Sequence, residues 1–377
     1  MSPQLEIDLE GLEARIADMP GVARLREAVE RSGVEAYLVG GAVRDALLGS
    51  PRADLDVVVV GDHLRLTAAL GEVVMVHERF ATATVATPDG ELDVAAARSE
   101  SYARPGALPD VRAAGQIAED LARRDFSVNA VAVAPADPGR PIDPHRGVDD
   151  LAGGVLRVLH EESLRDDPTR ALRGARYAAR LGLEPDRLTG ELLRRVDIGS
   201  VSDDRIEAEL RKLAAAPDAR RGFELLDSWG LIELPRGAGE LIDAVRELAS
   251  REPWAGIAEP TSTVLAAVRG TLAAPSELAR ADPSSVSDAV DLARGRTGLE
   301  LLLARALGAR WLEDYVAAHR HVRLEISGND LLEAGVEQGP AIGRGLAAAL
   351  RAKLDGEAAT PGEQLAVATQ AARRSDG

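Results

Sequence analysis

The hydrophobic pattern of this chain changes period once, near Leu151, and that change limits the folds open to it. Upstream, short apolar runs bounded by glycine, proline and aspartate read as strands over residues 37–40, 54–60 and 73–77. Residues 82–87 and 91–96 form a further pair, set to make a hairpin across Pro88-Asp89-Gly90. A helix over residues 42–48, closed by Gly49, lies between the first two strands. Downstream, Ala/Leu/Arg-rich stretches of helical period take over, as in residues 168–181 and 205–214. They are punctuated near Pro217, Pro235 and from Pro253 to Pro260. Further on, the stretch from Ile326 to Leu331 reads as a turn with a helix starting at Ser327 or Asn329. The expected class is α+β, with a mixed-sheet head followed by an all-helical neck, body and tail.

A length of 377 residues suits two or three domains, and 45% hydrophobic with 28% charged residues is the balance of a folded chain. The absence of cysteine excludes disulfides, cysteine-ligated zinc and a cysteine nucleophile, which fits a reducing cytosol. With no charged-then-apolar leader and no apolar run of about 18 residues, the expectation is a cytoplasmic protein with no membrane partner. The net charge of −17 argues against general nucleic-acid binding, so any RNA site must be a local basic surface. One candidate surface lies between Arg165 and Arg195, although charge alone favours a solvated helix face there. The six histidines lack metal-binding helical spacing.

Two short segments carry chemistry. Asp54-Leu55-Asp56 opens a run of four valines, and residues two apart on a strand point to one side, so both carboxylates face one site. Oxygen ligands so placed suit Mg²⁺, and a pair of ions can activate an attacking hydroxyl and neutralise a leaving pyrophosphate. Asp93, on another expected strand, is a third candidate carboxylate. Taken alone, an Asp-x-Asp pair is more often a turn or an exposed strand end. About a dozen residues upstream, Gly40-Gly41-Ala42-Val43-Arg44 sits at a strand-to-helix junction. There the glycines let backbone N–H groups approach phosphate oxygens and Arg44 can pair with them.

These segments resemble the class II tRNA nucleotidyltransferase and bacterial poly(A) polymerase family. Leu38-Val39-Gly40-Gly41-Ala42-Val43-Arg44-Asp45 with Asp54-Leu55-Asp56 is similar to its first signature, and Arg123-Arg124-Asp125-Phe126-Ser127-Val128-Asn129-Ala130 to its second. Asp166-Asp167-Pro168-Thr169-Arg170, running into Arg173 and Arg176, is similar to its third. The resemblance spans residues 35–235, and 326–345 is similar to the family's tail module. It implies a nucleotidyltransferase head of polymerase-beta type over residues 1–155, a helical neck and body binding nucleotide base and RNA over 156–235, and a tRNA-binding tail over 236–377.

Position by position, it implies that Asp54 and Asp56 hold two Mg²⁺ ions, while Gly41, Arg44 and Arg124 touch the nucleotide phosphates beside Gly40. Asp125 is similar to the residue that hydrogen-bonds the ribose, and Asn129 is either a nucleotide contact or a turn residue. Asp167 and Arg170, three apart on an expected helix, would address one base edge with complementary acceptors and donors, and Arg173 and Arg176 continue that face. The bland alternative for Asp167 and Arg170 is a surface ion pair. Two departures, Asp166 where the family often has Glu and Ser127 where it often has Thr, keep the chemistry. The Asp-Asp-Pro-Thr-Arg form, with His77-Glu78-Arg79-Phe80 and Pro105-Gly106-Ala107-Leu108-Pro109, resembles the A-adding branch. The implied activity is addition of CCA, or part of it, to tRNA 3′ ends from CTP and ATP without a nucleic-acid template. The tRNA 3′-hydroxyl attacks the α-phosphate and pyrophosphate leaves. The rival readings are an A-adding or CC-adding enzyme, a poly(A) polymerase, and a catalytically silent RNA-binding protein, against which the intact signatures count. No feature of the sequence sets the oligomeric state.

Overall fold

The structure is a computed structural model that describes residues 5–50, 55–77 and 81–374. The chain divides into two compact units, residues 1–233 and 234–377. Among the described residues no helix is long and apolar enough to cross a membrane.

In the first unit, helices α1 (Leu12–Ala17) and α2 (Val22–Ser32) lead into strand β1 (Glu35–Val39), helix α3 (Gly41–Leu47), strand β2 (Asp56–Val60) and helix α4 (His63–Leu70). Strands β3 (Glu72–His77), β4 (Thr82–Thr87) and β5 (Gly90–Ala96) form a meander, and β6 (Arg98–Ser101) pairs with β7 (Asp110–Ala113) as a separate hairpin. Helix α5 (Ile117–Ala122), strands β8 (Ala132–Ala134) and β9 (Asp137–Ile142) and helix α6 (Gly147–Ala152) complete the head. The seven-stranded sheet runs β3-β4-β5-β2-β1-β8-β9. Only β2 and β5 pair in parallel within it, so the sheet is mixed, as expected. Strand β3 closes one edge with all six residues exposed, whereas β2 buries Val57, Val58 and Val59. A core of Val39, Val58, Ala97, Ile117, Leu121 and Ala132 lies between the sheet and α5.

Helices dominate after the head, with one small exception: β10 (Val155–Leu156) pairs in parallel with β11 (Glu184–Pro185). Between them lie α7 (Ser163–Asp166) and α8 (Thr169–Leu181), followed by α9 (Arg187–Leu193), α10 (Asp203–Ala215) and α11 (Ala219–Ser228). Helix α8 approaches the head closely because residue 174 is glycine. A Cβ there would lie 2.8 Å from Cζ of the fully buried Phe126, which forms an edge contact with Tyr177 one helical turn on. Gly182, in the left-handed region at φ 66°, ends the helix.

The second unit is all helical: α12 (Ala238–Ala249), α13 (Pro260–Val268), α14 (Ala273–Arg280), α15 (Val286–Ala293), α16 (Gly298–Ala306), α17 (Leu312–Ala317), α18 (Gly328–Glu333), α19 (Pro340–Leu354) and α20 (Pro361–Arg373). Its proline breaks fall where the sequence punctuates, with Pro260 opening α13. Of the two candidate starts, Ser327 caps α18 in a capping box with Asp330. Helices α18, α19 and α20 share a core of Leu331, Val336, Ala349, Ala368 and Ala372.

Gly147 sets the seat of α6, since a Cβ there would overlap the Ser127 carbonyl oxygen and crowd Val131. Gly147→Ala should therefore lower the stability of the first unit by about 1–3 kcal/mol, as overpacking against rigid backbone does. Urea unfolding followed by circular dichroism reads the change, and an unaltered midpoint would contradict the tight seat.

Candidate active site

Strand β1 runs into Gly40, whose φ of 66° and ψ of −126° lie in a region open to glycine and strained for other residues. A Cβ on Gly40 would come 3.0 Å from Arg124 Nη1 and 3.8 Å from Asp56 Oδ2, so the bare turn lies between a guanidinium and a carboxylate. One turn into α3, the buried Arg44 donates from Nε to Asp45 Oδ1 at 2.9 Å and from Nη1 to Asn129 Oδ1 at 2.5 Å. Asp56 opens β2, and across the parallel β2/β5 pair its Cα partner is Asp93. Asp93 accepts from Thr84 Oγ1 at 2.7 Å and lines, with Asp56, His77 and Arg124, a side cleft next to the main one. Asp54 lies outside the described residues, as do Glu78, Arg79 and Phe80.

The second segment follows α5. Asp120, wholly buried, accepts from the Arg98 amide and from the guanidiniums of Arg123 and Arg124. Arg124 Nε is buried with no hydrogen-bond partner. Asp125 Oδ1 accepts from the Phe126 amide at 2.9 Å and from Asn129 Nδ2 at 3.0 Å, and its Oδ2 accepts from Arg173 Nη2 at 2.6 Å. Burial alone would push this carboxyl up, but the Arg173 charge and the Asn129 hydrogen bond outweigh it and hold it at about 2. The same pairing raises Arg173, against its own burial. Asn129, which the sequence left between two roles, bridges Arg44 and Asp125.

Asp167 differs from expectation. It is not on the helix with Arg170 but in the extended break between α7 and α8, at φ −133° and ψ 93°, because Pro168 disfavours helical backbone in the residue before it. There its Oδ1 accepts from the Thr169 amide and hydroxyl and from Arg205 Nη2 at 2.8 Å. Arg170 donates to Ser163 Oγ at 2.7 Å and to the Arg123 carbonyl at 2.7 Å. Both residues are buried and their side chains bond to other groups, so they are not a surface ion pair. Arg173 and Arg176 follow along α8, with the Arg176 guanidinium 4.7 Å from the centre of the Tyr177 ring.

Every site residue expected from the sequence except Asp93 and the undescribed Asp54 lines one cleft of about 550 Å³, together with Asp45, Arg98, Glu100, Tyr102, Arg123, Tyr177 and Arg180. Eight arginines face five carboxylates there, a local excess of positive charge in a chain of net charge −17. The arginines between 165 and 195 thus divide. Arg170, Arg173, Arg176 and Arg180 line the cleft, while Arg165 and Arg187 form exposed pairs with Glu162 and Glu191. Sequence reasoning passed over Tyr102 and Tyr177, and counted Arg180 only within the broad basic stretch between Arg165 and Arg195. Arg180 continues the spacing of Arg173 and Arg176 by one more turn, which was the available signal.

The Poly A polymerase head domain family matches residues 36–157. A CC-adding tRNA nucleotidyltransferase of Deinococcus radiodurans is 36% identical over 344 residues, covering 86% of this chain and 87% of that protein. This chain belongs to the tRNA nucleotidyltransferase family. An A-adding tRNA nucleotidyltransferase of Halalkalibacterium halodurans is 42% identical over 54% of this chain, which spans about half of that relative's length (51%). Among solved structures, a CCA-adding enzyme in an apo form superposes with a TM-score of 0.83 at 25% identity, over 95% of this chain and 97% of that one. The tRNA nucleotidyltransferase family is generally dependent on a divalent metal.

The depressed Asp125 carboxyl makes stability depend on acid. Unfolded, it protonates near 3.8, and folded it stays ionised down to about 2. Its contribution is therefore complete above about pH 4 and is lost as pH falls towards 2. Asp125→Asn should be less stable than wild type at pH 7, with the gap closing in that window. Urea midpoints at pH 7, 4 and 3 measure it, and a gap that does not narrow would remove the ion pair as its source.

Proposed function

We propose that this tRNA nucleotidyltransferase completes the CCA end of tRNA from CTP and ATP, with the cleft as its nucleotide site. What carries the reading is that three segments far apart in sequence, ending in Arg44, Arg124 with Asp125, and Asp167 with Arg170, line a single arginine-rich cleft beside Asp56. Phosphates fit the Gly40-Gly41 turn, Arg44 and Arg124, whose buried Nε awaits an acceptor. The ribose fits Asp125, which as a permanent carboxylate accepts from a 2′-hydroxyl and so favours ribonucleotides. Asp167 and Arg170 present acceptor and donor to a base edge, with Arg205, Ser163 and Thr169 fixing their orientation. The metal is Mg²⁺, two ions, held by Asp54 and Asp56 with Asp93 alongside. When bound it activates the tRNA 3′-hydroxyl and neutralises the leaving pyrophosphate. We assign residues 1–155 to the catalytic head, 156–235 to the neck and body, and 236–377 to a tail that binds the tRNA acceptor arm.

One observation favours a narrower activity: a relative matched along 86% of this chain and 87% of its own length is a CC-adding enzyme. Sequencing the products made on tRNAs ending at the discriminator base, after one C and after both Cs decides between them. Full CCA on all three supports the main reading, a stop after CC the narrower one, and a homopolymeric A tail would contradict both. Asp56→Asn should reduce incorporation by far more than tenfold, because a tenfold loss is only about 1.4 kcal/mol of barrier and too small for a metal ligand. Radiolabelled CTP and ATP incorporation by folded variant protein checks this, and near-normal turnover would move the metal site.

Asp167→Ala and Arg170→Ala are expected to blur the choice of CTP and ATP over UTP and GTP by about 1–3 kcal/mol per lost group. Competition among all four nucleotides on truncated tRNA measures it. Sharp base choice alongside a shifted melting temperature would show that the two residues act on the fold alone.

A further inference from the structure

Helix α8 turns a side chain into the cleft at every turn: Arg170, Arg173, Arg176 with Tyr177, and finally Arg180. From Arg170 to Arg180 is ten residues, about 15 Å of helix axis, comparable to a nucleoside triphosphate laid out from base to terminal phosphate. Arg170 is itself one of the groups assigned to the base, and Arg173 bonds Asp125, the group assigned to the ribose. Arg180 instead reaches back to the glycine turn of the head. Its Nη2 lies 2.7 Å from Asp45 Oδ2, while the other oxygen of the same carboxylate takes Arg44 Nε at 2.9 Å and Nη2 at 2.8 Å. Asp45 is 2% exposed, so two guanidiniums from different elements share one carboxylate with almost no water present. Arg44 is also held by Asn129, and its guanidinium carbon lies 5.5 Å from the centre of the Tyr177 ring. In that position its Nη2 lies 3.6 Å from where a Cβ on Gly41 would stand, over the glycine turn.

We propose that Asp45 and Arg180 are positioning residues for the triphosphate. They hold the Arg44 guanidinium over the Gly40-Gly41 backbone, so that α8 sets the phosphate end of the cleft as well as its base end. This rests on the nucleotidyl-transfer reading. A pair that merely stabilised the fold would act on every ligand of the cleft alike, whereas a pair that orients Arg44 acts on ligands that carry the β- and γ-phosphates. Arg180 is the better residue to change, since it lies at the last turn of its helix and keeps some contact with water, its side chain 24% exposed.

The test is isothermal titration of the full chain with ATP, AMP and inorganic tripolyphosphate, for wild type, Arg180→Met, Arg180→Lys and Asp45→Asn, each beside a thermal melt. Arg180→Met should weaken ATP and tripolyphosphate about tenfold while AMP stays within about twofold. Arg180→Lys should recover part of the loss, and Asp45→Asn, if it folds, should follow Arg180→Met. Equal losses for ATP and AMP, or an unchanged affinity for tripolyphosphate in folded Arg180→Met, would overturn the proposal. If wild type takes tripolyphosphate but neither ATP nor AMP, the nucleotide reading fails. The tripolyphosphate series still decides the role of Arg180.

Discussion

Asp125 has almost no access to water, yet it remains a charged carboxylate because Arg173, Asn129 and the Phe126 amide all donate to it. An unpaired charge in that position would cost several kcal/mol, so the helix that brings Arg173 has to be seated against the head for this segment to be stable at all. The chain of contacts continues in both directions. Asn129 passes it to Arg44, Arg44 to Asp45, and Asp45 back to the same helix at Arg180. Helix α8 is thus tied to the head at two points about two turns apart, with Phe126 and Gly174 packed between them. Tight packing and charge neutralisation both require the same docking, and the cleft is the space that docking encloses.

The charge distribution follows from this. A chain of net charge −17 is a poor general binder of phosphate, but the ion pairs that seat α8 leave arginine in excess inside the cleft. Arg124 is held to Asp120 through Nη2 while its Nε stays buried and unpaired. An acidic exterior with a basic cleft repels polyanions except where the cleft takes them, which favours a defined end of a nucleic acid over its length.

How far the sequence spoke for the structure depended on whether a feature was local. The glycine turn before α3, the β4–β5 hairpin, the helix from Thr169 and the proline breaks of the second unit each follow from residues near one another in the chain, and all stand close to where their patterns place them. The β6–β7 hairpin and strands β8 and β9 left no such mark. Arg98–Ser101 is polar throughout, Asp110–Ala113 is four residues long and mostly exposed, and β8 has three residues, so their pairing is settled by tertiary contacts. In the site, the signatures named most of the residues lining the cleft, because those residues cluster in three short segments, but not Arg98, Glu100, Tyr102, Tyr177 or Arg180. Helical spacing nevertheless misplaced Asp167, whose conformation is set by the proline that follows it. No local signal marks Asp45 as the partner of Arg180, 135 residues away.

That last pairing bears on how, on the proposed reading, one helix would address a base and also hold a triphosphate. Base reading requires groups fixed to within a fraction of an ångström, since a hydrogen bond loses most of its strength when donor and acceptor are poorly aligned. Phosphate binding by arginine is less exacting in direction but acts over a longer range. On the proposed reading the exacting pair lies in the break before α8 and at its first turn, where Asp167 is held by Thr169 and Arg205 and Arg170 by Ser163, and the charged groups lie along the middle and end of the helix. Arg180 reaches the phosphate end through Asp45 and Arg44, whereas Asp167 and Arg170 are fixed by Thr169, Arg205 and Ser163. On the proposed reading one helix therefore serves both ends of the cleft through separate sets of partners, so that a change at Arg180 can act on the triphosphate while the base end keeps its own supports.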